Sequence, residues 1–120
     1  MRICIVIPTY NERQNLETLI SKIFSLKINS KVIVVDDNSP DGTGELVKVL
    51  AKRYKGKLIL VHRPRKLGLG LAYKSGLAKA LEMKSDVLVT MDADLSHDPK
   101  EIPKMLANIN GFDVVVGSRH

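Results

Sequence analysis

Short apolar runs and helical patterns alternate along the whole chain. Ile3-Cys4-Ile5-Val6-Ile7, Val32-Ile33-Val34-Val35, Leu58-Ile59-Leu60-Val61, Val87-Leu88-Val89 and Val114-Val115-Val116 are unbroken and mostly β-branched or Leu. Such runs mark strands buried on both faces. Between them, apolar residues recur at helical spacing: Leu16, Leu19, Ile20, Ile23 and Phe24, then Leu46, Val47, Leu50 and Tyr54. A third helix is expected from about Gly70 to Met83, with Ala72, Gly76, Ala80 and Leu81 as its small or apolar positions, and a fourth on Ile102, Met105, Leu106 and Ile109. This order predicts an α/β fold with a doubly wound, mostly parallel, Rossmann-like sheet. Neither an internal repeat nor a linker interrupts the pattern, so residues 1–120 read as one domain. The chain stops at His120, where a loop leaving the fifth strand belongs, and the domain is therefore expected to be truncated at its C-terminal end.

Composition narrows the partners. A formal net charge of +6 suits either a Lys-rich solvated surface or one that favours phosphates and acidic lipid. Aromatics make up 4% of the chain and Trp is absent. That is a poor supply of stacking platforms for a nucleic-acid strand, and no nucleic-acid partner is expected. The single cysteine, Cys4, sits inside the first apolar run, which excludes an internal disulfide and a cysteine zinc cluster. No stretch approaches the ~20 apolar residues of a membrane span, so membrane contact is expected to be peripheral or supplied by further segments.

In an open α/β sheet, ligands bind beyond the carboxyl ends of the strands. The residues there are Pro8-Thr9-Tyr10-Asn11-Glu12, Asp36-Asp37-Asn38-Ser39, His62-Arg63-Pro64-Arg65, Asp92-Ala93-Asp94 and Gly117-Ser118-Arg119. Asp92 and Asp94, two apart in an extended chain, lie on one side about 6–7 Å from each other. Where the chain bends, they can converge on a hard cation and its phosphates, or simply cap the loop. Asp37 can accept from a ribose or a base edge, whereas Asp36 and Asn38 read as turn chemistry. Tyr10 offers a ring to a nucleobase, and Glu12 either accepts from guanine N–H groups or favours the first helix's positive end. Arg119 can hold a phosphate bidentately. His97 is a metal ligand, a proton carrier or a plain loop residue. Arg63, Arg65, Lys66, Gly68 and Gly70 form a basic loop that can meet an anion at a helix start. That loop matches neither the dinucleotide fingerprint, since Tyr73 stands where Gly or Ala is required, nor a Walker loop.

Taken together, Val6-Ile7-Pro8-Thr9-Tyr10-Asn11-Glu12, Val34-Val35-Asp36-Asp37-Asn38-Ser39-Pro40-Asp41-Gly42-Thr43, Met91-Asp92-Ala93-Asp94-Leu95-Ser96-His97 and Gly117-Ser118-Arg119 resemble the dolichol-phosphate mannosyltransferases of glycosyltransferase family 2. Arg63-Pro64-Arg65-Lys66-Leu67-Gly68-Leu69-Gly70 is similar to their basic loop. The resemblance implies the nucleotide-sugar-binding half of a GT-A fold. It also implies inverting transfer of mannose from GDP-mannose to dolichyl or polyprenyl phosphate, with Mg²⁺ or Mn²⁺, at the cytoplasmic face of a membrane. By the same resemblance Pro8, Tyr10, Glu12, Val35 and Asp37 hold the nucleoside. Asp92, Ala93 and Asp94 meet the diphosphate and metal, Arg119 contacts donor or incoming phosphate, and Asp94 and Arg119 carry the catalytic roles. Ser96 stands where some members place a Gln near the metal, so a metal contact there is expected from position alone.

Other functions fit parts of the pattern. A family 2 enzyme using a UDP-sugar would need the same acids, and a non-catalytic nucleotide-binding fragment would need no more than this chain. A phosphoacceptor receiver domain expects an Asp after the third strand, where His62-Arg63 stands instead.

Overall fold

A computed structural model describes residues 2–26, 28–65, 68–93, 99–100, 102–103 and 113–116. Strands β1 (Ile3–Thr9), β2 (Ser30–Asp36), β3 (Leu58–His62), β4 (Val87–Thr90) and β5 (Asp113–Val116) form one sheet in the order β3-β2-β1-β4-β5. Every pairing is parallel. Each strand expected from the apolar runs is present. Most extend by a residue or two into polar positions such as Thr9, Asp36 and His62, because ladder bonds continue past the end of the apolar run. The fourth helix falls almost wholly outside the described residues, and of its apolar positions only Ile102 is described, as a buried side chain.

Helices α1 (Arg13–Ser25) and α2 (Thr43–Arg53) pack on one face of the sheet and α3 (Leu69–Glu82) on the other. The handedness of parallel crossovers dictates this arrangement. The chain steps outward from β1 to β2 to β3 and then returns past β1 to β4, so its helices change face. Strand alternation divides the core accordingly. Ile3, Ile5, Ile7, Val32 and Val34 meet Leu16, Leu19, Ile20 and Ile23 of α1 and Val47 and Leu50 of α2. Cys4, Val6, Ile33, Val35 and Leu88 meet Ala72 and Ala80 of α3.

The packing of α3 depends on small residues. A Cβ on Gly76 would stand 2.3 Å from Val6 Cγ1 and 3.1 Å from Val35 Cγ2, so the helix lies against the sheet closer than any side chain permits. Leu81, one of the apolar positions of this helix, is 56% exposed. One residue beyond Ala80, it has rotated off the sheet-facing stripe.

Reversal of strand order on either side of β1 opens a crevice between the carboxyl ends of β1 and β4, the place where such sheets bind ligands. Gly76→Ala is expected to destabilise the chain by about 1–3 kcal/mol through overpacking. Gly70→Ala, with nothing near its added Cβ, is expected to be neutral or to stabilise by up to about 1 kcal/mol. Urea titrations giving the two variants equal stability would contradict the packing.

Candidate functional site

Two loops build the β1–β2 side of this edge, and both turn on an Asn in the left-handed region, Asn11 and Asn38, each at φ 56°. They are tied to each other. Asp36 is buried, and its carboxylate accepts from Thr9 Oγ1 (3.0 Å), its partner across the β1–β2 ladder, and from Ser39 N (3.1 Å) and Ser39 Oγ (2.5 Å). Ser39 Oγ in turn accepts from Asn11 N at 2.9 Å. Further along, Asp41 accepts from Arg13 N (3.1 Å), Thr43 N (3.0 Å) and the Thr43 hydroxyl, while Thr43 Oγ1 accepts from Glu12 N (3.2 Å). The starts of α1 and α2 are thereby pinned side by side. For Asp41 burial pushes the pKa up, but the Thr43 and Arg13 hydrogen bonds and the Arg13 charge outweigh it, so the pKa falls below 3.8. Its stabilising contribution is therefore complete above pH 3.8 and drains away as the pH falls through the lowered value.

Asp36 is thus turn chemistry, as its position suggested. Asp37 stands on the expected edge, but its side chain is 6% exposed and faces Arg63, whose Nε lies 3.2 Å from Asp37 Oδ1. Arg63 is equally buried, and its Nη1 has no hydrogen-bond partner among the described residues. Arg63 therefore belongs to a buried ion pair rather than to a solvated basic loop. Arg65 is exposed, and Lys66 lies outside the described residues. Nothing in the spacing announces this pair. It follows from the β2–β3 register in the structure, which places Asp36 opposite His62 and, one further step on, brings Asp37 opposite Arg63.

Of the other expected residues, Tyr10 is exposed at the rim and Glu12 half-buried at the start of α1. Pro8, Val35 and Ala93 are buried and present no open side chain at this edge. Asp92 is half-buried on the far side, where β4 continues beside β1 through the Met91 N to Val6 O bond. Its Oδ1 accepts from the Tyr73 hydroxyl at 3.4 Å. Burial first, then the charge and hydrogen bond of Asp92, raise the Tyr73 pKa above 10.0, which keeps the phenol a donor. Asp94, Ser96 and Arg119 lie outside the described residues. Among the described residues no three His, Cys, Asp or Glu side chains gather into a metal site. Asp92 supplies one partly open carboxylate, a hard oxygen donor of the kind Mg²⁺ and Mn²⁺ take, so the residues present fit such an ion without completing its shell.

A parallel 3-2-1-4-5 sheet with acids gathered at its carboxyl edge is the frame of a nucleotide-binding α/β domain. The family model for glycosyl transferase family 2 matches residues 4–120, and the chain belongs to that family. It is similar to the polyprenol monophosphomannose synthase of Mycolicibacterium smegmatis, 42% identical over 99% of this chain and 45% of that protein. It is also similar to the dolichol-phosphate mannosyltransferase of Pyrococcus furiosus, 44% identical over 100% of this chain and 34% of that one. The chain thus spans less than half the length of these curated relatives. Among solved structures, the mannosyltransferase PcManGT of Pyrobaculum calidifontis, in complex with GDP-Man and Mn²⁺, superposes with a TM-score of 0.71 at 30% identity, over 78% of this chain and 27% of that one. The fold is that of the GT-A glycosyltransferases.

Arg63→Met is expected to cost about 3–5 kcal/mol of stability, because it breaks a buried ion pair from one side. A denaturant titration showing a loss under about 1 kcal/mol would mean that the pair is not closed in solution.

Proposed function

We propose that the chain is the donor-binding half of an enzyme that transfers mannose from GDP-mannose to dolichyl or another polyprenyl phosphate, with inversion. The observation that carries this reading is the shared edge: Tyr10 and Glu12 after β1, the Asp37–Arg63 pair after β2 and β3, and Asp92 after β4. An aromatic ring, acceptors, a buried guanidinium and a cation-binding carboxylate are what a nucleoside diphosphate requires. The names of the relatives supply the sugar and the lipid phosphate.

The phosphate oxygen of the lipid attacks the anomeric carbon as the bond to the diphosphate oxygen breaks, and GDP leaves. That oxygen is anionic at neutral pH, so no strong general base is needed. The residues act chiefly by positioning and by stabilising charge. Tyr10 stacks on the base, while Glu12 and Asp37 accept from its N–H groups beside the Arg63 donor. Asp92 and Asp94, with a contribution from Ser96, would hold a divalent cation, Mg²⁺ or Mn²⁺, which would supply charge neutralisation for the departing diphosphate. Arg119 aligns the incoming phosphate. No helix among the described residues is long and apolar enough to cross a membrane. Contact with the cytoplasmic face is therefore proposed to be peripheral or made by segments outside this chain.

GDP with Mn²⁺ at a hundredfold excess over its Kd is expected to stabilise the chain by about 2.7 kcal/mol, read as a rise in melting temperature. UDP with Mn²⁺ is expected to give a smaller rise. A larger shift with UDP would assign the donor to the UDP-sugars. In the parent enzyme, Asp94→Ala is expected to abolish metal-dependent transfer of labelled mannose, and unchanged turnover would contradict its role.

A further inference from the structure

Tyr73 sits in the second turn of α3, on the opposite face of the sheet from the tied loops. Three residues later comes Gly76, the point of closest approach between α3 and the sheet. Residues three apart share a helix face, so Tyr73 also points at the sheet, one turn nearer the rim at which α3 begins. Its ring packs against the cluster formed by Cys4, Val6, Ile33 and Val35, and its hydroxyl reaches Asp92 Oδ1. Asp92 is the described carboxylate on the β4 side of the crevice, and Tyr73 donates a hydrogen bond to it.

We propose that Tyr73 is a positioning residue: its hydroxyl holds Asp92 in one orientation before cation and diphosphate arrive, with the anchor set by the tight α3–sheet contact at Gly76. The inference rests on the reading of Asp92 as facing cation and diphosphate. A tyrosine that merely filled the core would use its ring and not its oxygen. Phe keeps the ring and removes the oxygen, so the two roles separate cleanly.

The test is a double-mutant cycle on the purified chain, reading GDP affinity with and without Mn²⁺ by calorimetry, together with the urea midpoint. Tyr73→Phe is expected to weaken Mn²⁺-supported GDP binding roughly three- to tenfold, the worth of one hydrogen bond. Metal-free GDP affinity and the midpoint are expected to hold. In an Asp92→Asn background the same change is expected to add little, because the two side chains act as a pair. Equal Mn²⁺-supported affinity in Tyr73→Phe and wild type overturns the proposal. So does an equal loss with and without metal accompanied by a lower midpoint, which is the signature of packing alone, or full additivity with Asp92→Asn. If Mn²⁺ fails to raise GDP affinity in the wild type, the functional reading falls first and this inference falls with it, a result visible before any variant is made.

Discussion

The buried carboxylate of Asp36 fastens the ligand edge together. It sits at the last rung of β2, bonded to Thr9 on β1 and to Ser39 in the loop that follows, and Ser39 passes the connection on to Asn11. A buried carboxylate is tolerable only when its oxygens are satisfied, and satisfying them here forces two loops of separate strands into one fixed relation. A Cβ on Gly44, at the start of α2, would come within 3.2 Å of Asp36 Oδ2, so the same knot reaches the N-terminus of that helix, whose dipole favours the negative charge. Everything that faces a ligand from the β1–β2 side, from Tyr10 to Asp37, hangs from this network.

The other side of the crevice is built differently. There the constraint is steric: α3 presses on Val6 and Val35 through a residue without a side chain, and that contact carries Tyr73 to Asp92. At the ends of β2 and β3 lies the buried Asp37–Arg63 pair, in which Arg63 Nη1 has no hydrogen-bond partner among the described residues. A buried donor with bonding capacity left over, such as Arg63 Nη1, can be paired by a ligand without a further loss of solvation.

The sheet was legible in the sequence because continuous β-branched runs have few other uses, and a parallel sheet covered on both faces asks for nothing else. The carboxyl edge of the sheet was legible for the same reason, since it follows from strand direction alone. Side-chain pairing was not. Arg63 looked like part of a basic loop because its burial depends on the β2–β3 register, which periodicity does not report. Tyr73 registered only as a break in a glycine pattern, because its value comes from the distance between α3 and the sheet, a tertiary quantity.

The central claim is that a nucleoside diphosphate and its cation settle at the carboxyl edge, between the ends of β1 and β4. Paramagnetic broadening by Mn²⁺ with GDP, read on the amide signals of the isotopically labelled chain, measures this directly. The amides of Tyr10, Asp37 and Asp92 are expected to broaden first, while those of Arg2, Asn29 and Asp86 at the far edge stay sharp. Broadening centred on the far edge, or spread evenly over both, would contradict it.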